Sequence, residues 1–186
     1  KKRYLFAEIE NFLFFDLWCD GYVNENVFAY SNCFKDEKAI VFYNNVYQQS
    51  YGWIKSSCKY AIKTQDNQLV QKTRTIAEGL QLTNEANKYC IFQEQRSGLW
   101  YIRKSSDIFE KGLFLHLNGF ECQVLMNISE VTDDETHKYA ILHDTLNGCG
   151  VLDIEIAMMD IFLKDLYGEF AKINWKTLYE DIHLLF

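Results

Sequence analysis

The sequence predicts a mainly β fold: an antiparallel β-sandwich followed by a C-terminal helical extension, α+β overall. Aromatic residues make up 16% of the 186 residues, and aromatic side chains favour strands. Short apolar runs alternate with turn signals over residues 1–131, which is typical of a sandwich or barrel. From residue 132 the apolar residues recur at helical spacing instead. We therefore expect a β-sandwich accessory domain over 1–131 and a helical extension over 132–186, either packed on that domain or bridging to another.

The predicted strands are apolar or alternating runs bounded by turn-forming residues. Asn118-Gly119 is a strong hairpin signal, because both residue types tolerate the backbone of a tight turn. The polar and aromatic stretch 47–52 predicts a loop. The expected strands are 12–18, 27–31, 39–43, 60–63, 69–76, 89–93, 99–103, 113–117 and 122–128.

Helical patterns occupy the later chain. A short helix is expected over 105–111 and a longer one over 137–146. Asp153 is a candidate N-cap for the next helix, whose apolar stripe Gly168 would interrupt. A final amphipathic helix is expected over 175–186.

The charge balance excludes several classes of partner. Lys and Arg total 19 and Asp and Glu total 26, so the formal net charge is −7. Non-specific nucleic-acid binding and docking on anionic membranes both depend on basic patches, so we expect neither partner. No apolar stretch is long enough to form a transmembrane helix. Neutral ligands such as sugars remain compatible with this surface.

Six cysteines lie at wide spacing without a C-x-x-C pair, which argues against a zinc ribbon or a redox pair. We expect reduced, mostly buried thiols in an intracellular, cytoplasmic protein. No secretory signal peptide is recognisable after Lys1. The absence of an initial Met and the apolar last residues favour a piece of a larger protein.

Motifs that carry chemistry are absent from the sequence. It contains no phosphate-binding glycine loop, no H-E-x-x-H zinc motif and no G-x-S-x-G nucleophile elbow. Its four histidines are scattered. We therefore predict no catalytic residue, no metal site and no cofactor, and regard this fragment by itself as not an enzyme.

Aromatic residues in loops and hairpins are the remaining candidates for function. Trp53, Tyr51, Trp100 and Tyr101 could stack on the apolar faces of sugar rings. The alternative for each is packing in the core or at a domain interface. Trp53, which follows a polar stretch and Gly52, is the first of the four to test.

Two segments resemble part of a known enzyme family. VNENVFAYSN (23–32) and DEKAIVFYNNVYQQSYGWI (36–54) are similar to the region that follows the catalytic barrel in bacterial proteins of the alpha-amylase family, glycoside hydrolase family 13. FLFFDLW (12–18) and SGLWYIR (97–103) fit the same pattern. The sequence departs from it at Asn26, where the family pattern has an acid.

The resemblance implies a role but no chemistry for this chain. Such enzymes carry a β-sandwich after the barrel, whereas the barrel motifs with the catalytic carboxylates, of the type D-x-x-x-N-H, G-x-R-x-D and N-H-D, are not in this sequence. We expect a non-catalytic C-terminal accessory domain of an alpha-amylase-like glycosidase, which stabilises the catalytic barrel of the same parent chain and contacts α-glucan as a second role. The alternative is a stand-alone carbohydrate-binding or protein-interaction β-module. The parent's substrate and linkage stay open.

Overall fold

The computed structural model describes residues 3–7, 9–64 and 66–172. Strands dominate the described chain, which confirms the mainly β, α+β class. The elements after a 3₁₀ turn at Arg3–Phe6 are β1 (Leu13–Cys19), β2 (Tyr22–Phe34), β3 (Glu37–Asn44), β4 (Ser50–Ser57), β5 (Tyr60–Lys63), β6 (Leu69–Lys72), α1 (Ile76–Gly79), β7 (Lys88–Glu94), β8 (Trp100–Lys104), α2 (Ser105–Lys111), β9 (Leu113–Leu117), β10 (Cys122–Thr132), α3 (Lys138–Leu146) and α4 (Ile154–Lys172).

Eight strands form one antiparallel sheet in the order β8-β7-β10-β3-β2-β1-β4-β9, while β5 and β6 form a separate two-stranded ladder. The expected sandwich thus takes the form of a single curled sheet. Its two edge strands, β8 and β9, are joined by α2 and Gly112 and line a common cavity. Register shifts in β1 and β10 contribute to the curl, because β-bulges bend and twist a strand.

The inner face of the curled sheet holds the core. Alternate residues of each strand point inward, and α1 lies on this face. A capping box fixes the start of α1: the Thr75 hydroxyl accepts the Glu78 N–H at 3.1 Å, and the Glu78 carboxylate accepts the Thr75 N–H at 2.7 Å. Fully buried side chains of this core include Leu17, Ile40, Phe42, Ile54, Ile76, Leu80 and Leu117.

The helix α3 covers the outer face of the sheet at the end formed by β7 and β8. The Tyr89 ring lies 6.5 Å from the Tyr139 ring and 5.8 Å from the His143 ring, measured between centroids. Leu142 of α3 is completely buried. The chain divides into one compact unit over Lys1–Leu152 and a second over Asp153–Phe186, so α3 lies in the same unit as the sheet.

The second unit is described up to Lys172. Asp153 caps α4 as expected: its Oδ1 accepts the N–H of Glu155 at 2.9 Å and of Ile156 at 3.0 Å. The interruption expected at Gly168 is wrong, since α4 continues through it. The helix expected over 175–186 lies outside the described residues. Among the described helices, none has the length and apolarity needed to cross a bilayer.

Two further expectations are corrected. The loop predicted over 47–52 is wrong from Ser50 onward, where β4 begins. Small buried residues alternate there with exposed aromatic ones, which hides the usual apolar-in, polar-out pattern. All six cysteines are free, but only Cys33 and Cys90 are buried, so the thiols are not mostly buried.

Candidate binding surface

Six aromatic side chains are exposed on the outer face of β1, β2, β4 and β9. Each is between 42% and 56% exposed, although large aromatic residues are usually well covered. They occupy the positions whose strand neighbours point into the core, so the alternation of the strands places them on one face. We call this the outer aromatic surface: Phe14, Trp18, Phe28, Tyr51, Trp53 and Phe114.

Three of these rings form a row across adjacent strands. Trp18 of β1 lies opposite Trp53 of β4, which in turn lies opposite Phe114 of β9. The Trp53 and Phe114 rings meet edge to face, with centroids 5.3 Å apart and planes at 64°. Because neighbouring strands are ~4.8 Å apart, the row is about 10 Å long. The sheet backbone holds it, so little conformational entropy is lost when something binds it.

The two ends of the outer face differ in their covering. Under α3, Tyr89 is 3% exposed and Ile102 is 1% exposed. At the β1, β4 and β9 end, the equally apolar Trp18 and Phe114 are 45% and 56% exposed. An apolar sheet face is normally buried against another layer. The exposed end is therefore a candidate for contact with a partner.

Polar groups lie beside the aromatic row. The Tyr51 hydroxyl donates to Asp20 Oδ2 at 3.5 Å, in the hairpin between β1 and β2. The neighbouring Cys19 thiol and the Asp20 carboxylate raise the pKa of the Tyr51 hydroxyl. Hydrogen-bonding groups thus accompany the exposed rings.

The four aromatic residues proposed from the sequence lie near opposite ends of the strand order, two on edge strand β8 and two on β4, which neighbours the other edge strand. Tyr51 and Trp53 lie on β4, within the outer aromatic surface. Trp100 and Tyr101 lie on β8: the Trp100 backbone pairs with Val151, and the Tyr101 ring stacks on Phe92 at 5.7 Å. Trp53 and Tyr101 nevertheless line one cavity, so the structure brings these two together but does not assemble all four into one site.

Sequence reasoning missed four members of the surface. All four lie in apolar runs that the sequence predicts as buried strands: Phe14, Trp18, Phe28 and Phe114. Alternation of these positions with core residues is the signal that could have revealed an aromatic outer face.

The described residues contain no group of three or more His, Cys, Asp or Glu side chains placed to hold a metal ion. Two exposed thiols, Cys122 and Cys149, lie outside the outer aromatic surface. The site is therefore characterised by apolar area and hydrogen-bonding groups.

Comparison with known proteins yields no match: no family model, no curated protein and no solved structure is similar to this chain. The resemblance to the alpha-amylase family remains a prediction.

Proposed function

We propose that this chain is a non-catalytic accessory module that docks through the outer aromatic surface onto an apolar face of a neighbouring folded domain. The observation that supports it is the row of Trp18, Trp53 and Phe114, each between 42% and 56% exposed on a rigid sheet. Contiguous exposed apolar surface of this kind marks interaction sites in soluble proteins.

The free energy available from such docking is substantial. A fully exposed Trp presents roughly 250 Å². Covering the exposed 42% of Trp53 would therefore remove about 100 Å² from water, which is worth about 2.5 kcal/mol. Trp18 and Phe114 offer similar areas, so the row resembles the aromatic hot spots of protein interfaces. If the partner is in the same chain, the effective concentration is high and the cost of association is low.

The proposed partner is the catalytic barrel of an alpha-amylase-like glycosidase in the same parent chain, as the sequence resemblance suggests. In that arrangement the module stabilises the barrel by covering an apolar face, and the chemistry belongs to the barrel. The contribution of the module can then be measured as an increase in the stability of the neighbouring barrel.

The test compares stability in two contexts, the isolated 186-residue chain and the complete natural gene product. The row variant Trp18→Thr/Trp53→Thr/Phe114→Thr carries polar residues that suit strands. It should lower the unfolding temperature of the complete protein by several degrees more than that of the isolated chain. The control is Tyr47→Thr, an 82% exposed ring outside the surface. Equal shifts in the two contexts would reject docking through this row.

A second candidate, contact with α-glucan, is favoured by one observation. The Tyr51 hydroxyl and the Asp20 carboxylate lie beside the tryptophan row, and sugars need both a flat apolar face and hydrogen bonds. Soluble maltooligosaccharides should then shift the tryptophan fluorescence, and Trp53→Ala should abolish the shift. No shift in the native chain rejects this candidate and leaves the docking proposal intact.

A further inference from the structure

A cavity of about 470 Å³ lies where the two ends of the curled sheet approach each other. Its walls come from β8, α2 and β9, together with residues of β3, β4, β7 and β10. The successive residues Leu113 to His116 all line it, so it extends along β9, an edge strand of the described sheet. Its volume is in the range typical of sites for small molecules.

One wall of the cavity is aromatic. Phe92 and Tyr101, on neighbouring strands, stack with ring centroids 5.7 Å apart and planes at 18°. Phe42, Leu115 and Leu125 add apolar surface. This lining suits a flat, apolar ligand body.

The acidic groups of the cavity already have partners. The Glu94 carboxylate accepts the N–H of Arg96 at 2.9 Å and of Ser97 at 2.6 Å, which closes the turn after β7. Asp107 pairs with Lys111 at 3.6 Å within α2. Both carboxylates are thus engaged within their own turn or helix, and neither forms an ion pair with Arg103.

Arg103 also lines the cavity, but its hydrogen-bond partners are neutral. Its guanidinium donates to two carbonyl oxygens, those of Ile102 at 2.8 Å and Gly148 at 3.1 Å. It also lies over the Tyr101 ring, 5.7 Å from the centroid. No ion pair joins Arg103 to an acid among residues 3–7, 9–64 and 66–172. A partly buried cation without a counter-ion is costly, and a guanidinium always carries its charge in proteins.

We propose that this cavity binds a small organic acid, whose carboxylate contacts Arg103 and whose flat apolar body lies against Phe92 and Tyr101. The planar guanidinium has five donors, of which two are used, and its fork matches a carboxylate in two parallel hydrogen bonds. The ligand supplies the negative charge that the described lining does not offer to Arg103. Trp53 and Phe114 of the aromatic row also line this cavity, so the two sites adjoin, but binding of a small acid through Arg103 is a different activity from docking through the row.

The test uses a matched pair of probes with the intact chain, 2-naphthoate and its neutral amide 2-naphthamide, titrated by calorimetry. The acid should bind at least roughly tenfold more tightly than the amide. Arg103→Gln should weaken the binding of the acid by a similar factor and leave the binding of the amide unchanged. The affinity of Arg103→Lys for the acid should lie between those of the native chain and Arg103→Gln. The control is Arg74→Gln, an exposed arginine outside the cavity, which should change neither affinity.

A second variant guards against a folding defect in the arginine variants. Gln123 is half-buried in the lining, and Gln123→Phe should fill the cavity and remove binding of both probes. Tyr47→Thr, at an 82% exposed position outside the cavity lining, should leave both unchanged. Equal binding of acid and amide, no binding by the native chain, or unaltered binding to the folded Gln123→Phe variant would each overturn the proposal.

Discussion

Glu130 of β10 connects three parts of the fold through one carboxylate. Its oxygens accept the Thr83 N–H at 2.8 Å, the Thr83 hydroxyl at 2.8 Å and the Ser105 hydroxyl at 2.7 Å. Lys88 Nζ lies 3.8 Å away, and the Glu130 side chain is 14% exposed. These bonds tie β10 to the segment after α1 and to the first residue of α2.

The perturbation is Glu130→Gln, which keeps the shape and removes the charge. A hydrogen bond to a charged group contributes about 1.5–3 kcal/mol, and bonds within one network do not simply add. The amide also turns donor hydrogens toward the donors of Thr83 and Ser105. We expect the variant to lose about 3 kcal/mol of unfolding free energy at pH 7.

The loss of stability caused by Glu130→Gln should become smaller as the pH falls. Partial burial alone would raise the pKa of Glu130, but the hydrogen bonds from Thr83 and Ser105 and the charge of Lys88 lower it overall. The stability from the ionised carboxylate is thus complete above the pKa of the unfolded state, about 4.3, and is lost as the pH falls through the lower folded value. The difference between native and variant should shrink below about pH 4.

The assay is urea unfolding of both proteins at several pH values, followed by tryptophan fluorescence. The exposed Glu110→Gln serves as the control, with an expected change within about 0.5 kcal/mol at every pH. A loss below about 0.5 kcal/mol for Glu130→Gln at pH 7, or a loss that does not change with pH, would refute the role assigned to this carboxylate.

Two other predictions concern a glycine and the thiols. Gly119→Ala should destabilise the chain by about 2 kcal/mol, because a Cβ at this position would lie 2.0 Å from the Tyr47 carbonyl oxygen. Urea unfolding measures this, and an unchanged midpoint would contradict the prediction. Thiol labelling at pH 8 should reach the exposed Cys149 first, and Cys58 slowly, because burial and the Asp16 carboxylate raise the pKa of Cys58 to about 11. Burial raises the pKa of Cys90 to about 12, so Cys90 should react only in denaturant, and early labelling of it would be inconsistent with the fold.

Most strand positions could be predicted because period-2 patterning and turn residues are local signals. The predicted strand 39–43 lies inside β3, and 113–117 coincides with β9. The prediction failed at β4, where Gly52 is buried and Trp53 exposed, the reverse of what hydrophobicity alone suggests. Gly52 is required there because a Cβ would lie 2.3 Å from the Trp18 carbonyl oxygen, a long-range contact that one strand's sequence does not show.

The curl of the sheet and the composition of the surface depend on such long-range contacts. Asn118-Gly119 was expected to form a tight turn through its backbone freedom, whereas the positive φ angle in this connection belongs to Phe120. Trp53 and Tyr51 were identified as candidates from their polar surroundings. Trp18 joins them only through cross-strand pairing, which residue types and spacing do not specify.

The proposed docking predicts that a neighbouring domain covers the outer aromatic surface in the complete protein. Hydroxyl-radical footprinting of the isolated chain and of the complete natural gene product tests it directly, with the 82% exposed Tyr47 as the internal reference. Trp18, Trp53 and Phe114 should be oxidised readily in the isolated chain and severalfold more slowly in the complete protein, while Tyr47 reacts equally in both. Equal oxidation of the three rings in both samples would contradict the claim.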